Sequence, residues 1–379
     1  MKNRFVHIAW FVLLISGAIP LLQQWTELLP VTPLGGAITL SSKPDWEASD
    51  WLDGSFQNNF EKYSKDNFGL RASAIRLNNQ LDYSLFDELN AKSVVIGKEN
   101  YLYEENYIRC YLGMDFLGEE VIKERLFKLK KVADHLKTMG KDLIVVYAAG
   151  KGTYFPEYFP SSYDSIVPGK TNFDSYVRNT RELGIPFIDF NSLFVKMKDT
   201  TRYPLFPKCG IHWSKYAELL VADSIVSYIE DLRSIDMNHI IIDEVKWRST
   251  NRDTDYDLGR GLNLVLELDT YPMAYPEFHI ENKPEAKKPK MLFVADSYFW
   301  GIFNRGFSSS LFGGGQFWYY NQGIYPDSYE NPISVSEIDF QKSIESNDVV
   351  VLLYTDANLS KFAYGFVDQA YELYFKLNK

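Results

Sequence analysis

Apolar positions crowd the first two dozen residues and then settle into two alternating rhythms. Phe5 to Leu22 (FVHIAWFVLLISGAIPLL) is almost entirely apolar. At 1.5 Å rise per residue such a stretch just crosses a hydrocarbon core of about 30 Å. The following residues up to 57 are punctuated by Pro and Gly and read as a linker. Phe60 to Leu85 shows the spacing of an amphipathic helix, and Ser93 to Tyr103 that of two short strands joined at Gly97-Lys-Glu-Asn100. Helical and strand patterns then alternate. Glu119 to Met139 predicts a helix, followed by the β-branched run Asp142 to Ala149; Phe173 to Leu183 predicts a helix, followed by the strand Pro186 to Asp189. Trp213 to Leu232 is a long helix, Lys290 to Ala295 and Asp348 to Tyr354 are buried strands, and an amphipathic helix starts at Phe362. Helices alternating with fully apolar strands predict a mostly parallel α/β sheet between helical layers. Arg248 to Glu281 interrupts that alternation and reads as a surface excursion. The resulting organisation is an anchor over 1–24, a linker over 25–57 and one domain over 58–379 with an insertion near 245–285.

Charge and cysteine content narrow the function. The chain has 379 residues, with 40 basic against 50 acidic side chains and a net charge of −10. Phosphate neutralisation needs a basic surface, so nucleic acid is excluded as the main partner. Two cysteines build neither a disulfide scaffold nor a four-thiolate zinc site, and no metal site is expected. Lys2 and Arg4 precede the apolar stretch, which keeps the N-terminus cytoplasmic and exports the remainder. No good small-x-small cleavage site follows, which favours an uncleaved anchor over a removable signal. In that compartment Cys110 and Cys209 are compatible with one intrachain disulfide or with two free buried thiols. Aromatic residues, at 16%, suit a large core or a sugar-facing cleft.

In open α/β sheets reactive groups gather beyond the carboxyl ends of the strands. Ser297 follows the run Met291 to Asp296 at a strand-to-helix turn, where a hydroxyl is exposed beside backbone N–H groups; the same position also suits a simple helix cap. A serine nucleophile needs a base. His7 lies in the anchor, His135 in a charged helix, His239 before a strand-like run and His279 in the excursion, which leaves His212 in Pro207-Lys-Cys-Gly-Ile-His-Trp-Ser-Lys-Tyr216.

His212-Trp-Ser ahead of a long helix, with Ala295-Asp-Ser-Tyr298 downstream at a strand end, resembles the SGNH-hydrolase-like domain of the alginate O-acetyltransferase (AlgX/AlgJ-type) family. Asp66-Asn-Phe-Gly-Leu-Arg71, Val95-Ile-Gly-Lys-Glu-Asn-Tyr-Leu-Tyr103 and Ala149-Gly-Lys-Gly-Thr-Tyr-Phe-Pro-Glu-Tyr-Phe-Pro160 resemble further stretches of that family in the same order. The resemblance implies a three-layer SGNH-hydrolase-like fold preceded by one transmembrane helix. It also implies Ser297 as nucleophile and His212 as general base. It draws attention to Asn321, in Phe317-Trp-Tyr-Tyr-Asn-Gln-Gly323, as an oxyanion donor, a position that suits a plain turn residue before Gly323 equally well, with Tyr320 and Lys151 as further oxyanion or substrate contacts. The family's aspartate falls two residues before the histidine, where this chain has Gly210. Glycine cannot orient an imidazole, so the acid must come from Asp356, at the end of the last strand, from Asp296, or be replaced by a backbone carbonyl. Cys209 close to His212 raises a Cys–His nucleophile as a minor alternative.

The function these features imply is extracytoplasmic O-acetylation of a secreted or cell-surface polysaccharide through a serine acyl-enzyme, with no metal or organic cofactor. The implied partners are the polysaccharide acceptor and an integral membrane O-acyltransferase that supplies acetyl groups at the inner membrane, which places the domain in the periplasm. The alternatives are a degenerate scaffold protein that lost its acid at Gly210, and an acetylesterase that uses water as acceptor.

Overall fold

In the computed structural model, which describes residues 2–36, 38–325 and 332–376, the two sequence rhythms become two kinds of element. The chain divides into two compact units, one comprising the residues up to Lys92 with Leu258–Leu268, the other Ser93–Asp257 with Asp269 onward.

The N-terminal unit is helical. Its first helix, Lys2–Thr26, contains the apolar stretch Val6–Thr26, which is long enough to cross a membrane. The single helix expected over 60–85 is two, Ser55–Asn67 and Arg71–Phe86. Leu70 between them takes a left-handed conformation (φ +66°), which a continuous helix cannot accommodate. Within this unit the 258–268 segment is held by polar clamps: Asn263 Oδ1 accepts from Gly35 N–H (2.7 Å), and the Asn79 amide donates to Leu262 O (2.9 Å).

The larger unit carries the sheets. In chain order the strands are β1 (Val94–Ile96), β2 (Leu102–Glu104), β3 (Asp142–Ala148), β4 (Phe187–Asp189), β5 (Ile240–Arg248), β6 (Met273–Ile280), β7 (Met291–Ala295), β8 (Gly315–Tyr319), β9 (Gly323–Tyr325), β10 (Ile333–Ser334) and β11 (Val349–Thr355). Seven of them form the central sheet in the order β10-β9-β8-β7-β11-β3-β4. From β8 through β4 every neighbour is parallel, and only β9 is reversed, pairing antiparallel with β8 on one side and β10 on the other.

Parallel strands are apolar on both faces because helices cover both. One face, built from Val145, Tyr147, Leu292, Val294, Leu352 and Tyr354, packs with Leu126, Leu129 and Val132 of the helix Glu119–Thr138 and with Phe366 and Ala370 of the helix Phe366–Phe375. The alternate positions Ile144, Val146, Phe293, Val351 and Leu353 are no more than 1% exposed. The C-terminal helix begins later than the pattern predicts. Residues 356–365 form 3-10 turns, with Ala363 and Tyr364 left-handed.

The excursion is an antiparallel ribbon: β5 pairs with β6 from Ile240↔Ile280 to Arg248↔Met273, with a bulge between Ile242 and Glu244. The connection between its two strands carries Asp257, at the start of the short helix Asp257–Gly261. Cys110 and Cys209 are both buried free thiols, which resolves the disulfide alternative.

Candidate active site

The carboxyl ends of β7 and β8 and the loop before the helix Lys215–Arg233 supply the site. β7 ends at Ala295; Asp296 and Ser297 follow, and Ser297 opens a 3-10 turn. His212 sits three residues before the helix, whose start is fixed by Ser214: its hydroxyl accepts from Ala217 N–H (3.2 Å) and donates to Pro204 O (2.7 Å). Trp213, 1% exposed, and Tyr298 meet edge to face at 5.1 Å, and the Tyr298 hydroxyl donates to Ile211 O. The aromatic residues beside each reactive position thus lock the two loops to one another.

The structure brings Ser297 and His212 together. Ser297 Oγ lies 2.9 Å from His212 Nε2. The other ring nitrogen, Nδ1, lies 2.5 Å from Asp257 Oδ2. Asp257 is itself held, because its Oδ1 accepts from Ile211 N–H at 2.9 Å. With Nδ1–H facing the carboxylate, Nε2 is the acceptor for the serine proton, the arrangement that general-base activation of a hydroxyl requires.

Asp257 was not among the sequence candidates. It lies in Asp253-Thr-Asp-Tyr-Asp257, a stretch of alternating acids that reads as a solvated excursion. The only signal available was that tract itself, and nothing in it distinguishes residue 257 from its neighbours. Gly210 takes its meaning from the same geometry. A Cβ at position 210 would lie 2.2 Å from Thr254 O and 3.0 Å from Asp255 C. The position expected to hold the acid is therefore where the backbone of the acid-bearing segment passes.

The two carboxylates expected to hold the imidazole are occupied elsewhere. Asp296, fully buried, accepts from Tyr298 N–H (3.0 Å), Thr355 N–H (2.8 Å), Thr355 Oγ1 (3.0 Å) and Asn358 Nδ2 (2.8 Å). It cross-links the ends of β7 and β11. Asp356, 3% exposed, accepts from Thr153 Oγ1 (2.5 Å), Ala357 N–H (2.8 Å) and Asn191 Nδ2 (3.4 Å), and burial pushes it up to about 6.

Lys151, expected at the substrate, is 0% exposed. Its ammonium donates to the carbonyls of Lys208 and Gly210, both at 2.7 Å, and lies 5.2 Å from the Tyr103 ring. It therefore clamps the loop leading to His212, and burial pushes its pKa down to about 7. Asn321 turns its amide to Tyr364 O (3.1 Å) and Gln369 Oε1 (3.2 Å). Tyr320 is half-buried just past the end of β8, near enough to Ser297 for that side chain to pull against the upward push of burial on its phenol.

Electrostatics suit a base. Burial alone would lower the His212 pKa. The charge of Asp257 and its hydrogen bond, helped by Asp296 and Glu104, outweigh that and hold it above the ordinary histidine value. Burial raises Glu104, partly offset by His212 beside it. Cys209 is no rival nucleophile: burial pushes its thiol up to about 11, far from the thiolate such chemistry needs. His239 is taken by Asp223 (3.0 Å) and Glu230 (2.9 Å), and His279 by Asp243 (2.8 Å).

No curated protein matches the chain by sequence. Among solved structures, the O-acetyltransferase domain of Pseudomonas putida AlgJ is similar with a TM-score of 0.47 and 14% identity, covering 74% of this chain and 99% of that one. Pseudomonas aeruginosa AlgX gives 0.46 and 14%, covering 76% of this chain and 71% of its own. Bacillus cereus PatB1 gives 0.46 and 12%, covering 72% and 99%. Residues 94–294 match the family described as "SGNH hydrolase-like domain, acetyltransferase AlgX". The central strands β3 and β4 and the base His212 fall within that range, which ends inside β7. The chain, with its SGNH-like α/β fold and mostly parallel central sheet, belongs to this acetyltransferase family.

Proposed function

We propose that the protein is an extracytoplasmic O-acetyltransferase that modifies a polysaccharide through an acyl group carried on Ser297. The observation that carries this reading is the unbroken hydrogen-bond chain from Asp257 through His212 to Ser297. His212 Nε2 takes the Ser297 proton as Oγ attacks the acetyl donor, and the imidazolium is stabilised by Asp257. The same nitrogen returns the proton to the leaving group, then takes one from a sugar hydroxyl as its oxygen attacks the ester, and hands that proton to Ser297 Oγ as the acyl bond breaks. A degenerate scaffold is the alternative suggested by Gly210; the carboxylate of Asp257 beside His212 favours a working triad over it.

Membership of an acetyltransferase family supports acetyl as the acyl group. The apolar helix Val6–Thr26 supports attachment to the membrane, with the larger unit on its outer side. An integral membrane O-acyltransferase would then hand acetyl groups to Ser297. The periplasmic location, the polymer acceptor and that donor belong to this proposal. The test uses the full chain in detergent with an aryl acetate as donor and an oligosaccharide as acceptor. Ser297→Ala and His212→Ala are expected to lower acetyl release by at least about 10³-fold, and mass spectrometry should find acetylated oligosaccharide with the wild type. Wild-type rates in Ser297→Ala would reject the acyl-enzyme. Acetate as the sole product, across acceptors, would make the protein an esterase.

A further inference from the structure

The attack just described moves a full negative charge onto the acetyl oxygen, and catalysis depends on donors already aimed at that point. One is the backbone N–H of Ser297, at the start of its helical turn; the Asp296 carboxylate caps the N–H of Tyr298 instead. The second donor was expected from Asn321. That side chain is 7% exposed, and its two amide protons are engaged by Tyr364 O and Gln369 Oε1. An amide has no third proton to offer.

Tyr320 stands in the place Asn321 leaves open. β7 and β8 are paired so that Ala295 faces Tyr319, and Tyr320 N–H donates to Ala295 O at 2.9 Å. Residue 320 therefore leaves the sheet at the same edge as Asp296 and Ser297. Tyr319 at 4.2 Å and Tyr364 at 4.6 Å fix its ring, and Ser297 is near enough to act on its phenol. Its backbone is left-handed (φ +51°), as is that of Asn321 (φ +54°). A bulky side chain is strained in that region, and such strain concentrates where function fixes geometry. Burial and the charge of Asp296 raise the phenol further above its ordinary range, so it remains a donor.

We propose that Tyr320, rather than Asn321, is the side-chain donor of the oxyanion hole. This rests on the acyl-transfer reading of Ser297 and His212. As Oγ–C forms, the carbonyl π electrons move to oxygen, which accepts hydrogen bonds from Ser297 N–H and from the phenol. As C=O re-forms, the donor's leaving group departs with the proton from His212. The phenol keeps its own proton throughout.

The test measures aryl acetate turnover by the full chain. In Tyr320→Phe, kcat should fall about 10²-fold with KM within about twofold, while the acid limb of the pH profile, set by His212 and Asp257, stays in place. Ser297→Ala is run beside it. If Ser297→Ala is inactive and Tyr320→Phe turns over like the wild type, this proposal falls while the acyl-enzyme stands; full activity in Ser297→Ala would instead remove the reading beneath it. A larger kcat loss in Asn321→Ala than in Tyr320→Phe, at equal melting temperature, also overturns it. Should Tyr320→Phe fail to fold, 3,5-difluorotyrosine at position 320 replaces it. An acidified phenol stops donating once ionised, so kcat should acquire an alkaline limb at lower pH than in the wild type. A profile without that displacement overturns the proposal.

Discussion

Asp257 shows how much a single carboxylate can organise. It fixes the tautomer of His212 through Nδ1 and the loop through Ile211 N–H. In Asp257→Asn the second oxygen still accepts from Ile211, but the imidazole loses its counter-charge. We expect kcat to fall about 10³- to 10⁴-fold with the fold unchanged by circular dichroism. Activity requires neutral His212, so it rises with pH through a midpoint above the usual histidine value; without Asp257 the residual activity should have its midpoint at lower pH, because the groups raising His212 are depleted. A midpoint that does not move would separate Asp257 from the base. At this scale the nucleophile and base positions were legible, because a serine at a strand end and a histidine before a capped helix are local patterns. Asp257 was not: its partner lies 45 residues away, and only the ribbon β5–β6 decides which acid of the 253–257 tract returns to the sheet edge. Nor did sequence separate Lys151, buried under Tyr103, from a substrate contact, since a lysine after a strand reads alike in either role.

Elements were more legible than contacts. β3, β7 and β11 coincide with the apolar runs because strands covered on both faces leave no polar register to confuse the reading. Misreadings fell where the backbone takes left-handed conformations on non-glycine residues, at Leu70 between two helices and at Ala363-Tyr364 before the last one. No hydrophobic pattern encodes those turns. The loop 207–212 is defined by close approach as much as by bonding, and this gives a prediction at position 210. Gly210→Ala places a Cβ against the backbone of 254–255, and backbone cannot swing aside as a side chain can. We expect a loss of about 3 kcal/mol, read as a drop in thermal midpoint, together with loss of activity as Asp257 is displaced. Gly210→Asp should behave in the same way rather than enhance turnover; a more active Gly210→Asp protein would contradict this packing.

The molecule as a whole carries buried carboxyls whose titration marks its stability. Burial pushes Asp255, 0% exposed, up to about 7, with Tyr275 as the neighbour pulling against it, and pushes Asp356 up to about 6. Both hold protons more tightly folded than unfolded. Their contribution is therefore fully present below pH 3.8, the unfolded value, and is lost as pH rises through about 6 for Asp356 and about 7 for Asp255. In Asp255→Asn the amide stays neutral throughout. The variant should melt above the wild type at pH 8, and this advantage should shrink steadily toward pH 4.5 in scanning fluorimetry. An advantage that is constant across pH would show that Asp255 does not titrate in this window.

The approach of 254–257 over Gly210 also bears on how relatives of this chain are sorted. A survey that looks for an aspartate two places before the histidine would file this chain among the defunct, although its imidazole has a carboxylate partner. An alignment ending at Val294, as the family match does, retains the base and omits the hydroxyl it serves. Inventories of such proteins built on linear signatures will therefore undercount those in which a remote ribbon has taken over the acid's post, and only a three-dimensional template centred on the imidazole will recover them.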